Sequence, residues 1–269
     1  MMQEENKSNK SFKVASYNVN SINTRKELVL SWLGRDPVDV LCMQELKTTD
    51  ENFPRDDFLK KGYECYTYGQ RTYNGVAICS RQPLESVFKG IGDPVYDEEK
   101  RVIGGRLGEV WIINVYFPHG DRRGEKKFYW KLRFYDRFLL FLTERFSPDE
   151  KIVLVGDMNV ALEDIDVYDP ILLKDTIGTM KEEREALLRL LSWGFVDAFR
   201  YLYPQKRQFT WWDYIGGMVW KDQGMRIDYV LVTKPMLPYL RDVYVDMWAR
   251  KRRNPKPSDH APLVGVFEI

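Results

Sequence analysis

In four short segments of the chain, an apolar stretch of the kind that forms a buried strand ends in a cluster of side-chain oxygens. The segments are SYNVN at 16–20, CMQE at 42–45, VGDMN at 155–159 and SDH at 258–260. Alternate residues of an extended strand face the same side, so Asp157 and Asn159 would point together, as would the two asparagines of the first segment. Because neighbouring strand ends converge at one edge of a layered sheet, we expect the four segments to meet at one ligand site.

The residue types in these segments suit hydrolysis of a phosphodiester. Carboxylate and amide oxygens are hard ligands that favour Mg²⁺ or Mn²⁺. Zinc is disfavoured, because the chain has 2 histidines and no cysteine pair at zinc-site spacing. Besides a metal to neutralise charge, a phosphodiester needs a base to activate water and donors for its nonbridging oxygens. The candidates for these tasks are Asn18, Glu45, Asp157, Asn159, Asp259 and His260.

Each segment taken alone also has a simpler interpretation, because Asp and Asn often do no more than end a strand in a turn. A lone histidine such as His260 is more commonly a structural residue with satisfied hydrogen bonds. Four such segments in one chain, one of which contains one of only 2 histidines, favour an active site over four unrelated turns.

Hydrophobic periodicity predicts the elements that must position these residues. Apolar runs predict strands, and apolar residues at helical spacing predict three helices. The predicted strands are 12–17, 38–43, 63–68, 74–79, 110–117, 151–155, 226–232 and 262–267, and the predicted helices are 23–34, 125–146 and 182–193. Short hairpins beside longer crossovers favour mixed sheets covered by helices over an all-parallel barrel. No repeat or linker interrupts the pattern, so we expect one domain at 11–269 after a polar tail at 1–10.

The bulk composition is that of a globular protein with a large core. Of the 269 residues, 44% are hydrophobic and 30% are charged. The net charge of +1 excludes a global basic field, so contacts with nucleic acid must come from local basic clusters. The polar start of the chain does not fit a secretory signal, and no apolar run approaches the length of a membrane span. We therefore expect a cytoplasmic protein without a membrane partner.

The three cysteines are Cys42, Cys65 and Cys79. Their number is odd, two of them lie in apolar runs, and no CxxC pair occurs. We predict that all three are buried thiols in a reducing compartment, neither paired in disulfides nor bound to zinc.

Six motifs stand in an order that resembles one family over essentially the whole chain. They are QELK at 44–47, YNGVAI at 73–78, GDMNVA at 156–161, EDIDVY at 163–168, RIDY at 226–229 and SDHAP at 258–262. Together they resemble the bacterial exonuclease III type of abasic-site endonuclease. The resemblance implies a four-layer α/β sandwich, in which two packed mixed β-sheets are flanked by helices and the active site lies at one edge.

The resemblance also implies a metal site and a substrate. Glu45 matches the principal Mg²⁺ ligand, with Mn²⁺ as a possible substitute, and Asp259 and Asn18 are the further metal candidates. The implied reaction is hydrolysis of the phosphodiester 5′ to an abasic site in duplex DNA. Processing of blocked 3′ ends and 3′→5′ exonuclease activity are implied beside it, in a protein we expect to be a monomer. Whether one or two metal ions act is left open.

Catalytic roles carry over in the same way. Asp157 matches a carboxylate that either activates water or protonates the leaving oxygen, and Asn159 and Asn18 would orient it and the phosphate. His260 would contact a nonbridging oxygen. Asp228 would hold the other ring nitrogen of that histidine, and a carboxylate in this place raises the pKa of the imidazole. Tyr116 matches a phosphate-contacting tyrosine, although in so aromatic a chain it could equally be a core residue.

Two basic clusters and one aromatic segment are candidates for contacts with DNA. The basic clusters lie directly after the strand at 110–117 and directly before the SDHAP motif, although such runs are often only a solvated face. The segment FTWWDY at 209–214 resembles the family's minor-groove loop, although it could also be a core strand. Met225 stands where some relatives carry an aromatic residue. The candidates are Arg122, Arg123, Lys126, Arg252, Arg253, Trp211 and Trp212.

Two other functions remain as alternatives. A phosphodiesterase for inositol phosphates or sphingolipids would share the metal site, since a fold and its metal do not fix a substrate. A regulator that binds nucleic acid without cutting it would have lost catalytic residues. Every catalytic position here carries a competent side chain, which favours the nuclease.

Overall fold

The computed structural model describes residues 11–269, and the predicted polar tail at 1–10 lies outside the described residues. Strands and helices alternate irregularly along the described chain. The strands are β1 (Ser11–Asn18), β2 (Val40–Gln44), β3 (Glu64–Tyr68), β4 (Val76–Ser80), β5 (Glu85–Lys89), β6 (Val102–Leu107), β7 (Val110–Tyr116), β8 (Ile152–Asp157), β9 (Phe195–Asp197), β10 (Asp228–Thr233), β11 (Leu240–Val245) and β12 (Leu263–Glu268). The helices are α1 (Ile22–Arg35), α2 (Arg55–Leu59), α3 (Pro94–Asp97), α4 (Lys126–Arg145), α5 (Lys181–Ser192), α6 (Ala198–Leu202) and α7 (Met247–Arg250), with short 3₁₀ segments at Asp164–Asp166, Ile215–Trp220 and Lys234–Tyr239.

The strands form two mixed six-stranded sheets. The first has the order β11-β12-β1-β2-β4-β3, and the second has the order β5-β6-β7-β8-β10-β9. The pairs β1–β2 and β7–β8 are parallel, whereas the other neighbours are antiparallel. The central strands therefore end at the same edge, which is where a site can form.

Apolar side chains on both faces of each sheet produce four layers. Between the sheets, Val14 and Ile78 of the first sheet share a core with Ile112 and Val153 of the second. A second core packs the outer face of the second sheet against α4 and α5. A third core, which includes Trp32 of α1, covers the outer face of the first sheet. The predicted four-layer α/β sandwich is confirmed.

Helix α4 shows why the predicted helical spacing was a strong signal. Phe134, Phe138 and Phe141 are buried against the second sheet, while Arg133 and Arg137 are exposed on the opposite face. Because the apolar side chains form a stripe on one face of α4, the helix packs on the sheet with that face buried and the opposite face in solvent. Within residues 11–269, no helix is both long enough and apolar enough to cross a membrane.

The predicted strands and helices are present, with ends that shift by a few residues. Four strands were missed: β5, β6, β9 and β11. Strand β6 contains two glycines, which disfavour a strand in isolation. Gly104 is required by packing, because a Cβ there would lie 2.4 Å from the ring of Phe88. A further prediction was wrong in detail: residues 258–260 lie in the loop before β12 and do not end a strand.

The prediction that all three cysteines are free thiols is wrong for two of them. Cys65 and Cys79 are directly opposite each other in the antiparallel β3–β4 pair, and they form a disulfide. Their positions depend on the register of this hairpin, which the spacing along the chain does not specify. Cys42 is a buried free thiol, as predicted.

Candidate active site

The predicted site residues lie at the edge where central strands of both sheets end. Asn18 is the last residue of β1, and Glu45 directly follows β2. In the second sheet, Tyr116 pairs with Asp157 across β7 and β8, and Asp157 pairs with Asp228 across β8 and β10. The strand register therefore places Tyr116, Asp157 and Asp228 side by side in the second sheet, at the edge where Asn18 ends β1 and Glu45 follows β2 in the first sheet.

A cavity of about 310 Å³ opens at this edge. We call its carboxylates and imidazoles, with Tyr116, the polar wall. Met225 and Ile227 belong to an apolar cluster against which Trp211 packs, and these three residues are called the apolar wall. The cavity is lined by Glu45, Tyr116, His119, Asp157, Asn159, Ile177, Gly178, Trp211, Met225, Ile227, Asp259 and His260.

Asn18 connects the carboxylates of the two sheets. Its Nδ2 donates to Glu45 Oε1 at 2.8 Å and to Asp157 Oδ2 at 3.0 Å. Its Oδ1 faces away and accepts from the backbone N–H of Asn20 at 3.1 Å. Ser258 Oγ donates to the carbonyl of Asn18 at 2.7 Å, which ties the loop before β12 to the end of β1. In this orientation Asn18 presents a donor to both carboxylates.

Glu45 is contacted by three polar side chains of the site. Its φ of 53° turns the backbone at the end of β2. Besides Asn18, Tyr116 donates its hydroxyl to Oε1 at 3.0 Å, and Lys47 Nζ lies 2.8 Å from Oε2. Burial opposes ionisation, but Lys47 and the Asn18 hydrogen bond prevail and lower the pKa of Glu45. Lys47 was not among the predicted site residues, although its place two residues after Glu45 could have indicated it.

His260 is fixed between two carboxylates. Its Nδ1 lies 2.9 Å from Asp228 Oδ2, and its Nε2 lies 3.7 Å from Asp157 Oδ2. Burial alone would lower the pKa of His260, but the charges of Asp228 and Asp157 raise it to about 10. The imidazole is therefore cationic near neutral pH, as the pairing with Asp228 predicted.

Asp157 is buried at the centre of the polar wall. Burial, partly offset by the nearby charge of His260, raises its pKa to about 7. A carboxyl group with such a pKa can both accept and release a proton near neutral pH. Its second oxygen, Oδ1, accepts from the backbone N–H of Asn159 at 2.9 Å.

Asn159 occupies a left-handed backbone conformation, with a φ of 53°. Its Nδ2 donates to the carbonyl of Phe117 at 2.8 Å, which fixes the side chain to the loop after β7. Its Oδ1 lies 3.3 Å from Nδ1 of His119. His119, the second histidine of the chain, was missed by the sequence reasoning, although its position three residues after Tyr116 was a usable signal.

Asp259 also lines the cavity, and donors from Asn20 and Trp211 hold its carboxylate. Asn20 Nδ2 donates to its Oδ1, and Trp211 Nε1 donates to its Oδ2, both at 3.0 Å. Burial opposes ionisation of Asp259, but His260 and these two hydrogen bonds prevail and lower its pKa. The carboxylate therefore also anchors Trp211 at the rim of the cavity.

Of the two predicted DNA-contacting tryptophans, the structure leaves only Trp211 accessible. Trp211 is half-buried and lines the cavity beside Met225. The assignment of Trp212 to DNA contact was wrong, because its side chain is fully buried against Phe209 and Val219. On an extended segment, adjacent side chains point to opposite faces, so only one of the two could face the cavity.

The same loop exposes a tryptophan that the sequence reasoning missed. Trp220 is 60% exposed at the end of the 3₁₀ segment Ile215–Trp220. Lys251 Nζ lies 5.9 Å from the centre of its ring. The signal available in the sequence was an aromatic residue shortly after two glycines, which indicates a loop. Gly216 and Gly217 both have positive φ in the structure.

The basic residues predicted to contact DNA differ in their exposure and in the partners that already hold their side chains. Arg122, Lys126 and Arg253 are exposed, whereas Arg252 stacks on Trp248 with its guanidinium 3.7 Å from the ring centre. Arg123 is also exposed but forms ion pairs with carboxylates of Asp175 and Glu182 at 2.7 and 2.8 Å.

The donor set of the polar wall fits a hard divalent cation. Among residues 11–269, one group of acids and histidines could hold a metal, with ligand atoms within 4.8 Å of one another: Glu45, Asp157 and His260. Of these three residues only Glu45 has a lowered pKa, whereas the pKa values of Asp157 and His260 are raised, so Glu45 is the clearest ligand for a cation.

Comparisons with known proteins agree with this geometry. Residues 15–260 match the model of the Endonuclease/Exonuclease/phosphatase family. Exodeoxyribonuclease III of Haemophilus influenzae is 31% identical over 95% of this chain and 100% of its own length. The structure of an AP endonuclease from Archaeoglobus fulgidus superposes with a TM-score of 0.92 at 37% identity, and covers 96% of this chain and 100% of its own.

A second solved structure is similar to the same degree. It is a 3′ phosphatase from Neisseria bound to a product DNA hairpin, with a TM-score of 0.91 at 36% identity, and it covers 96% of this chain and 100% of its own. The resemblance drawn from the six motifs is thus confirmed by sequence and by structure. The chain belongs to the Endonuclease/Exonuclease/phosphatase family.

Proposed function

We propose that this protein is a metal-dependent DNA repair nuclease that hydrolyses the phosphodiester 5′ to an abasic site in duplex DNA. Processing of blocked 3′ ends and 3′→5′ exonuclease activity belong to the same proposal. The observation that carries it is the cavity with two unlike walls. Asp157 and His260 lie on the polar wall, and Trp211 and Met225 lie on the apolar wall. One wall suits a phosphate, and the other suits a sugar that carries no base.

The metal in this proposal is Mg²⁺, for which Mn²⁺ can substitute. Glu45 is its principal ligand, and Asp259 is a further candidate. Asn18 would become a ligand only if its amide turned over, because it now directs Nδ2 at Glu45 and Asp157. The low pKa of Glu45 supports this role, since it keeps the carboxylate ionised. When bound, the cation would neutralise phosphate charge and favour departure of the leaving oxygen. Lys47, at 2.8 Å from Glu45, would release this carboxylate in part when the cation binds.

Asp157 is proposed to move the proton. Its pKa of about 7 allows it to accept a proton from the attacking water or to return one to the leaving oxygen. Asn18 and the backbone N–H of Asn159 each hold one of its oxygens, so its orientation is fixed before substrate arrives. These two contacts support a positioning role for both asparagines.

His260 and Tyr116 are proposed to bind the phosphate. A cationic imidazole held by Asp228 can donate from Nε2 to a nonbridging oxygen as negative charge develops there. Burial, together with the charges of Glu45 and Asp157, raises the pKa of Tyr116 well above its usual value, so its hydroxyl stays a donor. Both groups lie on the polar wall.

Two surfaces flanking the cavity are proposed to hold the duplex. Arg122, Arg123 and Lys126 follow the end of β7 along the chain, and Arg252 and Arg253 precede the loop that carries Asp259 and His260. Such contacts position the backbone without reading the sequence. Trp220 is proposed as an additional stacking contact, because a tryptophan that is 60% exposed beside a lysine matches both the bases and the phosphates of DNA.

We further propose that residues 11–269 act as one catalytic domain, as a monomer, in the cytoplasm. The sheet order supports the first point, because β12 at the end of the chain lies beside β1 at its start. Sedimentation at micromolar concentration, with and without DNA, tests the monomer.

A different phosphodiesterase and a non-catalytic regulator are the competing functions. The regulator is disfavoured because the polar wall retains Glu45, Asp157 and His260 in mutual contact range. The other phosphodiesterases are disfavoured because the apolar wall and the exposed basic residues Arg122, Lys126 and Arg253 suit a nucleic acid.

The proposal is tested on a labelled duplex with one abasic-site analogue in the presence of Mg²⁺. We expect a single cut immediately 5′ to the analogue, which is lost in EDTA and in Asp157→Asn. A duplex that is bound but never cut would favour the regulator. Absence of both binding and cutting would point to a different phosphodiester substrate.

A further inference from the structure

Beneath the cavity lies a buried ion pair that none of the proposed roles includes. Lys131 of α4 and Glu183 of α5 are each 0% exposed, and Lys131 Nζ lies 2.5 Å from Glu183 Oε1. We propose that this pair consists of positioning residues, which hold three loops of the active site in the geometry that orients Asp157. The inference rests on the proposed nuclease function and concerns how the same site is assembled.

Lys131 joins two of these loops. Besides Glu183, its Nζ donates to the carbonyl of Asn159 at 2.7 Å and to the carbonyl of His119 at 3.1 Å. An ammonium group has three N–H donors, and all three are used. His119 lies after β7 and Asn159 lies after β8, so one buried cation fixes the spacing between two adjacent strand ends.

Glu183 holds the third loop. Its Oε2 accepts from the backbone N–H of Gly178 at 2.7 Å and of Met180 at 3.1 Å. Gly178 lines the cavity and packs directly on Asn159, since a Cβ at Gly178 would lie 3.2 Å from the carbonyl oxygen of Asn159. The ion pair therefore fixes Asn159 from two sides.

The consequence for chemistry passes through the backbone of Asn159. Its left-handed φ of 53° directs its N–H at Asp157 Oδ1, and its carbonyl points back at Lys131. Such a conformation is uncommon outside glycine and persists where the surroundings determine it. The N–H belongs to the peptide unit before Asn159 and the carbonyl to the unit after it, so Lys131 acts on Asp157 through the φ and ψ of Asn159. Without the ammonium group this left-handed turn would lose an anchor, and the donor to Asp157 Oδ1 would be held less firmly.

Stability alone is a poor explanation for this pair. Two charges removed from water give little net stabilisation, and apolar replacements of similar volume are often neutral or better. Helices α4 and α5 are already joined by an apolar core that includes Phe138 and Leu187. They are also joined at the surface by an ion pair between Arg189 and Asp136 at 3.0 Å.

The test removes both charges together, so that neither is left buried alone. The variant is Lys131→Met with Glu183→Leu. The matched control is Asp136→Leu with Arg189→Met, which removes the exposed ion pair between the same two helices. Single-turnover cleavage, the KM for the abasic duplex, the thermal midpoint and hydrogen exchange at the amides of Gly178 and Met180 are measured for each protein.

We expect kcat of the buried-pair variant to fall by about 10- to 100-fold, because small misplacements of reacting groups reduce rates by this much. KM should change by less than roughly 3-fold and the thermal midpoint by only a few degrees, because the DNA-binding surface and apolar core remain. Exchange at Gly178 and Met180 should accelerate. The control should match the parent in all four measurements.

Unchanged kcat with unchanged exchange in the folded variant would overturn the proposal. If that variant does not fold, Lys131→Gln with Glu183→Gln replaces it, since it also removes both charges but keeps polar side chains, and the carboxamide at 183 has one acceptor oxygen and cannot serve both residue 131 and the loop amides. Its kcat should then fall with KM retained, and wild-type kcat would refute the inference. A parent that never cuts DNA would contradict the proposed function, while the exchange result would still decide whether the pair holds the loop.

Discussion

Nδ1 of His260 lies 2.9 Å from Oδ2 of Asp228, while the other ring nitrogen faces Asp157 at 3.7 Å. One imidazole thus connects a carboxylate at the start of β10 with the carboxylate at the end of β8, and the antiparallel register of these strands places the two acids side by side. The charge of His260, which lies in the loop before β12, therefore depends on residues of β8 and β10.

Replacement of Asp228 should therefore change catalysis through His260. In Asp228→Asn the largest charge that raises the pKa of His260 is gone, and burial lowers that pKa. We expect kcat at pH 7.5 to fall by about 100-fold, and the fall of activity at high pH to begin at a lower pH. The pH profile of single-turnover cleavage measures both. Asp149→Asn, at an exposed position, is the control, and an unaltered profile in Asp228→Asn would contradict the pairing.

The same histidine should make stability depend on pH in the metal-free protein. Its pKa is raised from 6.5 to about 10 in the folded state, so the folded form binds the proton more tightly than the unfolded form. The stabilisation is complete below about pH 6.5 and is lost as the pH rises towards 10. Urea unfolding in EDTA at several pH values should show this decline. His260→Gln should flatten it, and an equal slope in that variant would assign the decline to other groups.

Glu45 should dominate metal affinity. In Glu45→Gln we expect the affinity for Mg²⁺ or Mn²⁺ to fall by at least about 10-fold, since a neutral amide replaces the ionised ligand. Calorimetric titration without DNA measures this directly. Asp259→Asn, in which the donors Asn20 and Trp211 remain, should lose less. A larger loss in Asp259→Asn than in Glu45→Gln would reverse the proposed order of the two ligands.

Replacement of the buried Trp212 should reduce stability, whereas replacement of the exposed Trp220 in the same loop should reduce DNA binding. Trp212→Ala should lower the free energy of unfolding by about 3–5 kcal/mol, because it leaves a large cavity. Trp220→Ala should leave stability within about 0.5 kcal/mol but weaken DNA binding by about 1–3 kcal/mol, the usual contribution of base stacking. Denaturant unfolding and DNA titration in EDTA separate the two effects. Normal binding by Trp220→Ala would remove this residue from the proposed interface.

Mixed sheets covered by helices, and most of the polar wall, could be predicted from local patterns. The four layers and the roles of Tyr116 and Asp228 were implied by the resemblance of the six motifs to a known family. Strands β2 and β8 are continuous apolar runs buried on both faces, and α4 has one apolar stripe. Asp157 and Asn159 both line the cavity, but the expected reason was wrong: β8 ends at Asp157, and Asn159 has a left-handed φ of 53° instead of extended backbone.

What could not be predicted depends on register or on partners distant in sequence. Cys65 and Cys79 form a disulfide because one particular hairpin register places them opposite each other. In the sequence Lys131 is one of several basic residues of α4, and only the approach of Glu183 from α5 shows that it is buried and paired. Trp211 and Trp212 are adjacent and of the same type, and only the folded backbone shows that one side chain lines the cavity while the other is buried in the core.

The central claim, that the polar wall cuts at the sugar without a base, is tested most directly by matched duplexes that differ only in whether one nucleotide carries its base. Single-turnover cleavage with Mg²⁺ should cut the abasic duplex at the 5′ side, leave a 3′-hydroxyl, and proceed at least about 100-fold faster than internal cleavage of the intact duplex. Equal internal cleavage of both duplexes, or no cleavage of either, would contradict the account.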